Sequence, residues 1–218
     1  MTLEKQQQIE VALQEIWETT AYSKFCEKKF MFPLIEQNKD LLFIGINPSY
    51  DERHKDSTYY PVDKTLLTIP YFNAMNNFAK AITNSEETTE FNWTHIDLLF
   101  FRETEQNKIH DILKTETGRQ FVYNQLMVAD KLIRYAKPKV IMVCNALARV
   151  FMGKEKDKEK NTGIWMDYEF IFDDKIGTHR WEGNPVFFSS MLSGQRAFDK
   201  GSLERLEWQV KKALIAIK

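Results

Sequence analysis

Cysteine is almost missing from this chain: Cys26 and Cys144 are the only two in 218 residues. They stand far apart with no paired spacing, which excludes a four-cysteine zinc or iron–sulfur centre and points to a reducing compartment. An excess of one charge is missing too, since 30 Lys and Arg face 31 Asp and Glu for a formal net charge of −1. No global basic field marks the chain for nucleic acid, so any such contact must rest on a local patch. No run approaches the roughly 18 uninterrupted apolar residues of a membrane span. The opening Met1-Thr2-Leu3-Glu4-Lys5-Gln6 has no apolar signal region, and a cytoplasmic protein is expected. No glycine-rich phosphate loop follows any apolar run, which speaks against a general nucleotide-binding domain. Repeats, low-complexity tracts and linkers are absent as well, and a single domain over residues 1–218 is expected.

Hydrophobic residues make up 43% of the chain and aromatics 13%, enough for a sizeable core. Four short apolar runs, near 41–46, 95–101, 139–144 and 185–190, read as buried strands. Between them the apolar spacing turns helical. Ile9, Leu13, Ile16 and Trp17 fall on one face of an N-terminal amphipathic helix over 3–18. Pro70 opens a helix to about Ile82, and residues 117–136 form another that Lys137-Pro138 stops. Asn145 caps a short helix over Ala146–Met152, and Ser202 is expected to cap the last one. Residues 164–183 alternate across Asp173-Asp174 like a hairpin, and Lys154 to Lys160 reads as a solvated loop. Alternation of this kind predicts an α/β fold, a three-layer sandwich with a central four-stranded parallel sheet and helices on both faces.

In open sheets of this type, ligands meet the loops beyond the carboxyl ends of the strands. Two such loops carry polar residues: Gly45-Ile46-Asn47-Pro48-Ser49 after the first run and Met191-Leu192-Ser193-Gly194-Gln195-Arg196 after the fourth. The stretch from Tyr50 to Thr68 follows no period, and a loop of that length in a compact domain is usually functional or mobile. His54, in that stretch, is the one histidine with a route to the site; it and His95, His110 and His179 lack ligand spacing and default to structural or solvent-facing roles. Asp97 sits inside a buried run, where a hydrogen-bonding role at the strand end is expected rather than general-base duty. Arg102, Arg196 and Lys200 are expected to be exposed cations available to phosphates.

These two loops resemble the motifs of the uracil-DNA glycosylase superfamily. Gly45-Ile46-Asn47-Pro48 is similar to the opening motif of its mismatch-specific branch, and Ser193-Gly194 to the end of that branch's closing N-P-S-G. Lys137 to Ala146 resembles the family's third strand and following helix, and the likeness runs from about Asp40 to the C-terminus. The second motif departs from the family: Met191 and Leu192 stand where it carries His or Asn and then Pro. The resemblance implies a uracil-DNA glycosylase-like fold and hydrolysis of the N-glycosidic bond of a damaged or mispaired base in DNA. Asn47 would then orient the attacking water through its amide oxygen, with Gly45, Ile46, Pro48 and Ser49 around the base. Tyr59 and Tyr60, eleven and twelve residues beyond Pro48, lie at the spacing of the family's stacking aromatic. Ser193, Gly194, Gln195 and Arg196 would contact DNA. The implied partner is damaged or mismatched DNA, with no metal, organic cofactor or membrane, and a monomer is expected. The alternative keeps the fold and drops the chemistry, leaving a nucleic-acid or nucleotide-binding module without a leaving-group donor at Met191.

Overall fold

The computed structural model describes residues 1–19, 27–83, 91–154, 165–194 and 197–217. Its centre is a mixed sheet of six strands flanked by helices on both faces. Four of these strands are the apolar runs: β2 (Leu41–Gly45), β4 (Trp93–Asp97), β5 (Val140–Val143) and β8 (Asn184–Phe188). β1 (Phe32–Leu34) and β3 (Tyr59–Pro61) lie outside it as a separate parallel pair, Phe32 opposite Tyr59. β6 (Ile171–Asp173) and β7 (Thr178–Trp181) complete the large sheet in the order β4-β2-β5-β8-β7-β6. β4, β2, β5 and β8 pair in parallel, whereas β7 runs antiparallel to both β8 and β6. Among the described residues the sheet is therefore six-stranded and mixed: the four expected strands are parallel and adjacent, and antiparallel β7 and β6 extend it beyond the four-stranded parallel sheet expected. The expected hairpin forms, and a second tight turn extends it: Glu182 and Gly183 both take positive φ, 48° and 86°, which returns the chain from β7 straight into β8.

Alternation along the strands splits the core in two. Leu42, Ile44, Ile96, Ile141, Val143 and Val186 face one side, and Leu41, Phe43, Trp93, Val140, Met142 and Phe187 the other. On the first side lie α1 (Leu3–Thr19), α3 (Asn107–Leu113), α4 (Glu116–Ala136) and α5 (Ala146–Met152); on the second lie α2 (Pro70–Thr83) and α6 (Lys200–Ala216). In α1 the buried set is Ile9, Leu13, Ile16 and Trp17, so its helical spacing translates directly into burial. α3 carries just two buried apolar residues, Ile109 and Ile112, too few for a periodic signal. It packs so closely on the start of α4 that a Cβ on Gly118 would lie 1.9 Å from the Ile112 carbonyl oxygen.

Three boundaries differ from expectation for physical reasons. The run expected as a strand over 95–101 is extended only to Asp97, although Leu98 to Phe101 are fully buried. The buried amide of Gln125 on α4 ends it: its Oε1 accepts from the Phe100 and Phe101 N–H groups at 2.7 and 3.1 Å, donors a neighbouring strand would otherwise take. α6 begins before Ser202, because Asp199 is its cap and accepts from both the backbone N–H and the hydroxyl of Ser202. The aperiodic stretch 50–68 holds β3 and two short 3₁₀ turns, Glu52–His54 and Lys64–Thr68. Most of the Lys154–Lys160 segment lies outside the described residues.

Candidate functional site

Because β4, β2, β5 and β8 are parallel, the loops that follow them open on one edge of the sheet. Asn47 and Ser193 share that edge, with β5 between their strands. The loop after β2 is bonded to the chain after β4: Leu99 N–H donates to the Ile46 carbonyl at 2.9 Å and Glu103 N–H to the Pro48 carbonyl at 3.0 Å. Half-buried Asn47 adds its amide, whose Nδ2 donates to the Glu103 carbonyl at 2.6 Å and to the Pro48 carbonyl at 3.1 Å. Both amide hydrogens are thereby occupied, and Oδ1 is left as an acceptor with no hydrogen bond from any described residue.

Below this turn lies a polar cluster whose key members the sequence reading treats as structural. His95 and Asp97 both point to the α2 side of β4, two residues apart as strand geometry demands. His95 is fully buried, with its Nδ1 3.0 Å from the Tyr60 hydroxyl and its Nε2 3.4 Å from the Tyr71 hydroxyl. The rings of Tyr71 and Phe72 meet it edge-on at 5.7 and 5.1 Å. The Asp97 carboxyl lies 3.8 Å from His95 Nε2, its side chain 8% exposed and without a hydrogen bond to any described residue. Gly45 makes the arrangement possible. A Cβ there would lie 2.2 Å from Asp97 Oδ1, 3.0 Å from the Tyr71 hydroxyl and 3.1 Å from His95 Nε2. The glycine of the turn is therefore a packing requirement for the cluster beside it.

Burial sets the protonation of this cluster. It pushes His95 down to about 3 and Asp97 up to about 8, so at neutral pH the imidazole is neutral and the carboxyl keeps its proton. Burial likewise raises the Tyr60 and Tyr71 phenols well above their ordinary range, with the nearby Asp97 adding to it. Cys144, at the end of β5, is buried as well, and its thiol is pushed up to about 12. It is a structural thiol, not a nucleophile. Among the described residues no group of three or more His, Cys, Asp or Glu side chains is arranged to hold a metal.

The other site residues named from sequence separate. Tyr60 turns inward onto His95, while Tyr59 is 44% exposed and its ring lies 6.2 Å from Phe32, as neighbours on a strand must diverge. Ile46 and Pro48 are at least half-buried, and Ser49 is exposed. Ser193 is half-buried and Gly194 exposed with φ of 84°, in a turn closed by the Ala197 N–H on the Gly194 carbonyl at 3.1 Å. Met191 is half-buried and Leu192 packs against the α2–α6 core. Gln195 and Arg196 lie outside the described residues. Lys200 is exposed and 3.9 Å from Glu204. Arg102 corrects an expectation. It is 1% exposed, and its guanidinium donates to the carbonyls of Asp51, His54 and Lys55, so it holds the 51–55 turn rather than meeting a phosphate. The side chain of His54 is exposed on that turn.

Neither family models nor curated proteins give a match to this sequence. The sequence signal for Asp97 and His95 was present nonetheless: two titratable residues at period two at the end of a buried strand, on the face where the preceding strand ends in glycine.

Proposed function

We propose that this chain is a uracil-DNA glycosylase-like hydrolase that cleaves the N-glycosidic bond of a damaged or mispaired base in DNA. The observation that carries the reading is Asn47: its amide hydrogens are spent on the Glu103 and Pro48 carbonyls, which leaves Oδ1 fixed in direction and, among the described residues, unpartnered at the carboxyl edge of the sheet. A fixed neutral acceptor suits the orientation of a water for attack on a sugar carbon from which the base departs. The likeness of Gly45-Ile46-Asn47-Pro48 to the superfamily's opening motif supports it, as does the arrival of Ser193-Gly194 at the same edge. So does the α/β architecture with its run of parallel strands.

Reaching a base in a duplex requires flipping it out, and phosphate and backbone contacts from the loop after β8 would accompany that step. The test is release of base from oligonucleotides carrying uracil, mispaired thymine or hypoxanthine, single- and double-stranded, read as abasic sites. Abasic product from any of these is expected, and intact strands across the whole panel overturn the reading. Met191 favours a second reading, a module that binds nucleic acid without cutting it, because a thioether cannot donate to a departing base. DNA binding with no abasic product selects that alternative.

A further inference from the structure

We propose that Asp97 is the acid that delivers a proton to the departing base, the part that Met191 cannot play. The inference rests on the hydrolase reading and on a geometry independent of the motifs. Asp97 ends β4 directly opposite Gly45, its side chain is more than nine-tenths buried, and no described residue bonds to its carboxyl. A carboxyl enclosed this far, with the neutral His95 imidazole 3.8 Å away and no cation beside it, is costly to ionise and so suited to hold a proton for transfer. Its neighbours are neutral, and the His95 ring, with one N–H and one lone pair, accepts from one tyrosine and donates to the other. Tyr60 from β3 and Tyr71 from α2 direct their hydroxyls to the two nitrogens of His95, and Cys144 beyond β5 bonds to the Met142 carbonyl. Among the described residues no Lys or Arg pairs with Asp97, so nothing there holds the carboxyl ionised. Burial raises it to about 8, which keeps it protonated at neutral pH as a general acid requires.

The step balances as a hydrolysis. Water oriented by Asn47 Oδ1 adds its oxygen to the anomeric carbon, and the carbon–nitrogen bond breaks with its electron pair leaving on the base. The Asp97 proton moves to the base, the water's surplus proton goes to solvent, and Asp97 regains a proton from solvent. Asn47 and Asp97 thereby divide the labour, one directing the nucleophile and the other neutralising the leaving group. His95, locked by two tyrosines, positions Asp97 without itself changing charge.

Single-turnover base release from the full chain, measured between pH 5.5 and 9.5 on whichever oligonucleotide of the panel yields abasic product, tests the assignment. The wild-type rate is expected to fall above about pH 8. Asp97→Asn, of the same size, is expected to slow release by about 10²-fold or more and to remove that falling limb. A strand carrying 5-fluorouracil, whose anion leaves more readily than uracil, should narrow the gap between wild type and Asp97→Asn. A merely structural aspartate would slow both leaving groups alike. Equal rates and pH profiles for wild type and Asp97→Asn, or equal deficits with both leaving groups, overturn the proposal while the hydrolase reading stands. Should Asp97→Asn not fold, the wild type alone decides: dependence on the leaving group must steepen above pH 8, and an unchanged dependence overturns the proposal. No release by wild type from any substrate removes the hydrolase reading and this inference with it.

Discussion

The loop that leaves β2 and the loop that leaves β8 open on the same edge of the sheet but are held very differently. The first is bonded at Ile46, Asn47 and Pro48 to the segment after β4, and Arg102 anchors the carbonyls of Asp51, His54 and Lys55 just beyond it. The second is tied at its root, where the Ser189 N–H donates to the Val143 carbonyl at 2.9 Å and its hydroxyl to the Ser190 carbonyl at 2.9 Å, and farther out, among the described residues, by a turn bond from Ala197 to Gly194 and a bridge between Met191 and Ala197. A reacting group must be fixed to within a fraction of an ångström, whereas a segment that follows a nucleic-acid backbone profits from adaptability. On the proposed hydrolase reading, the contrast would put chemistry on the β2–β4 side and contact on the β8 side.

The largest effect expected from breaking this contrast is on catalysis. Asn47→Ala removes the oriented acceptor and should lower base release by about 10²–10³. It also frees the Glu103 and Pro48 carbonyls, at a stability cost of about 1–2 kcal/mol in urea denaturation. Release equal to wild type would remove Asn47 from the mechanism. Next in size is Gly45→Ala, whose new methyl would press on Asp97, Tyr71 and His95. Overpacking of this kind costs about 1–3 kcal/mol, and unchanged denaturation would show that the cluster yields.

A smaller effect concerns pH. Asp97 is raised in the fold, so above the ordinary carboxyl range the unfolded chain gives up its proton while the folded one keeps it. Its contribution to stability is therefore present at low pH and lost as pH rises from about 4 to about 8. His95 is lowered, so it opposes folding in the other direction, as pH falls from about 6.5 to about 3. Thermal melts should show the alkaline loss in wild type and not in Asp97→Asn, which is expected to be as stable as wild type or more so at pH 8. Identical slopes would mean that Asp97 is solvated. The smallest effect is on the other loop: Ser193→Ala should change stability by less than about 0.5 kcal/mol while weakening DNA binding modestly and alike across sequences. A large loss of stability there would make that loop as rigid as the first.

The parts of the fold legible in the sequence were those written in periodicity. The face of α1, the apolar runs of β2, β5 and β8, and the Asn145 cap of α5 all translate directly into the structure. What escaped is set by partners distant in sequence. Gln125 shortens β4 from α4, Asp199 displaces Ser202 as a cap, and the tight turn at Glu182-Gly183 adds antiparallel strands to the sheet. At the site, Asn47 and Gly45 stood out because turn chemistry is local. The burial of Asp97 and His95 depends on Tyr60 and Tyr71 arriving from separate elements, and no window of sequence contains that meeting.

The glutamine that ends β4 also bears on what a further strand could pair with. β4 is an outer strand of the sheet, and the tract from Leu98 to Phe101 that continues it is wholly apolar. A long hydrophobic border with free backbone donors is a template for strand addition and fibril growth. Here Gln125 takes the amides of Phe100 and Phe101 and ties its own Nε2 to the Phe121 carbonyl at 3.1 Å, while the Met31 N–H donates to the Phe100 carbonyl at 2.9 Å, so protein groups already occupy the border. One buried side chain thus occupies two backbone donors that a further strand would need, in a tract that is itself fully buried.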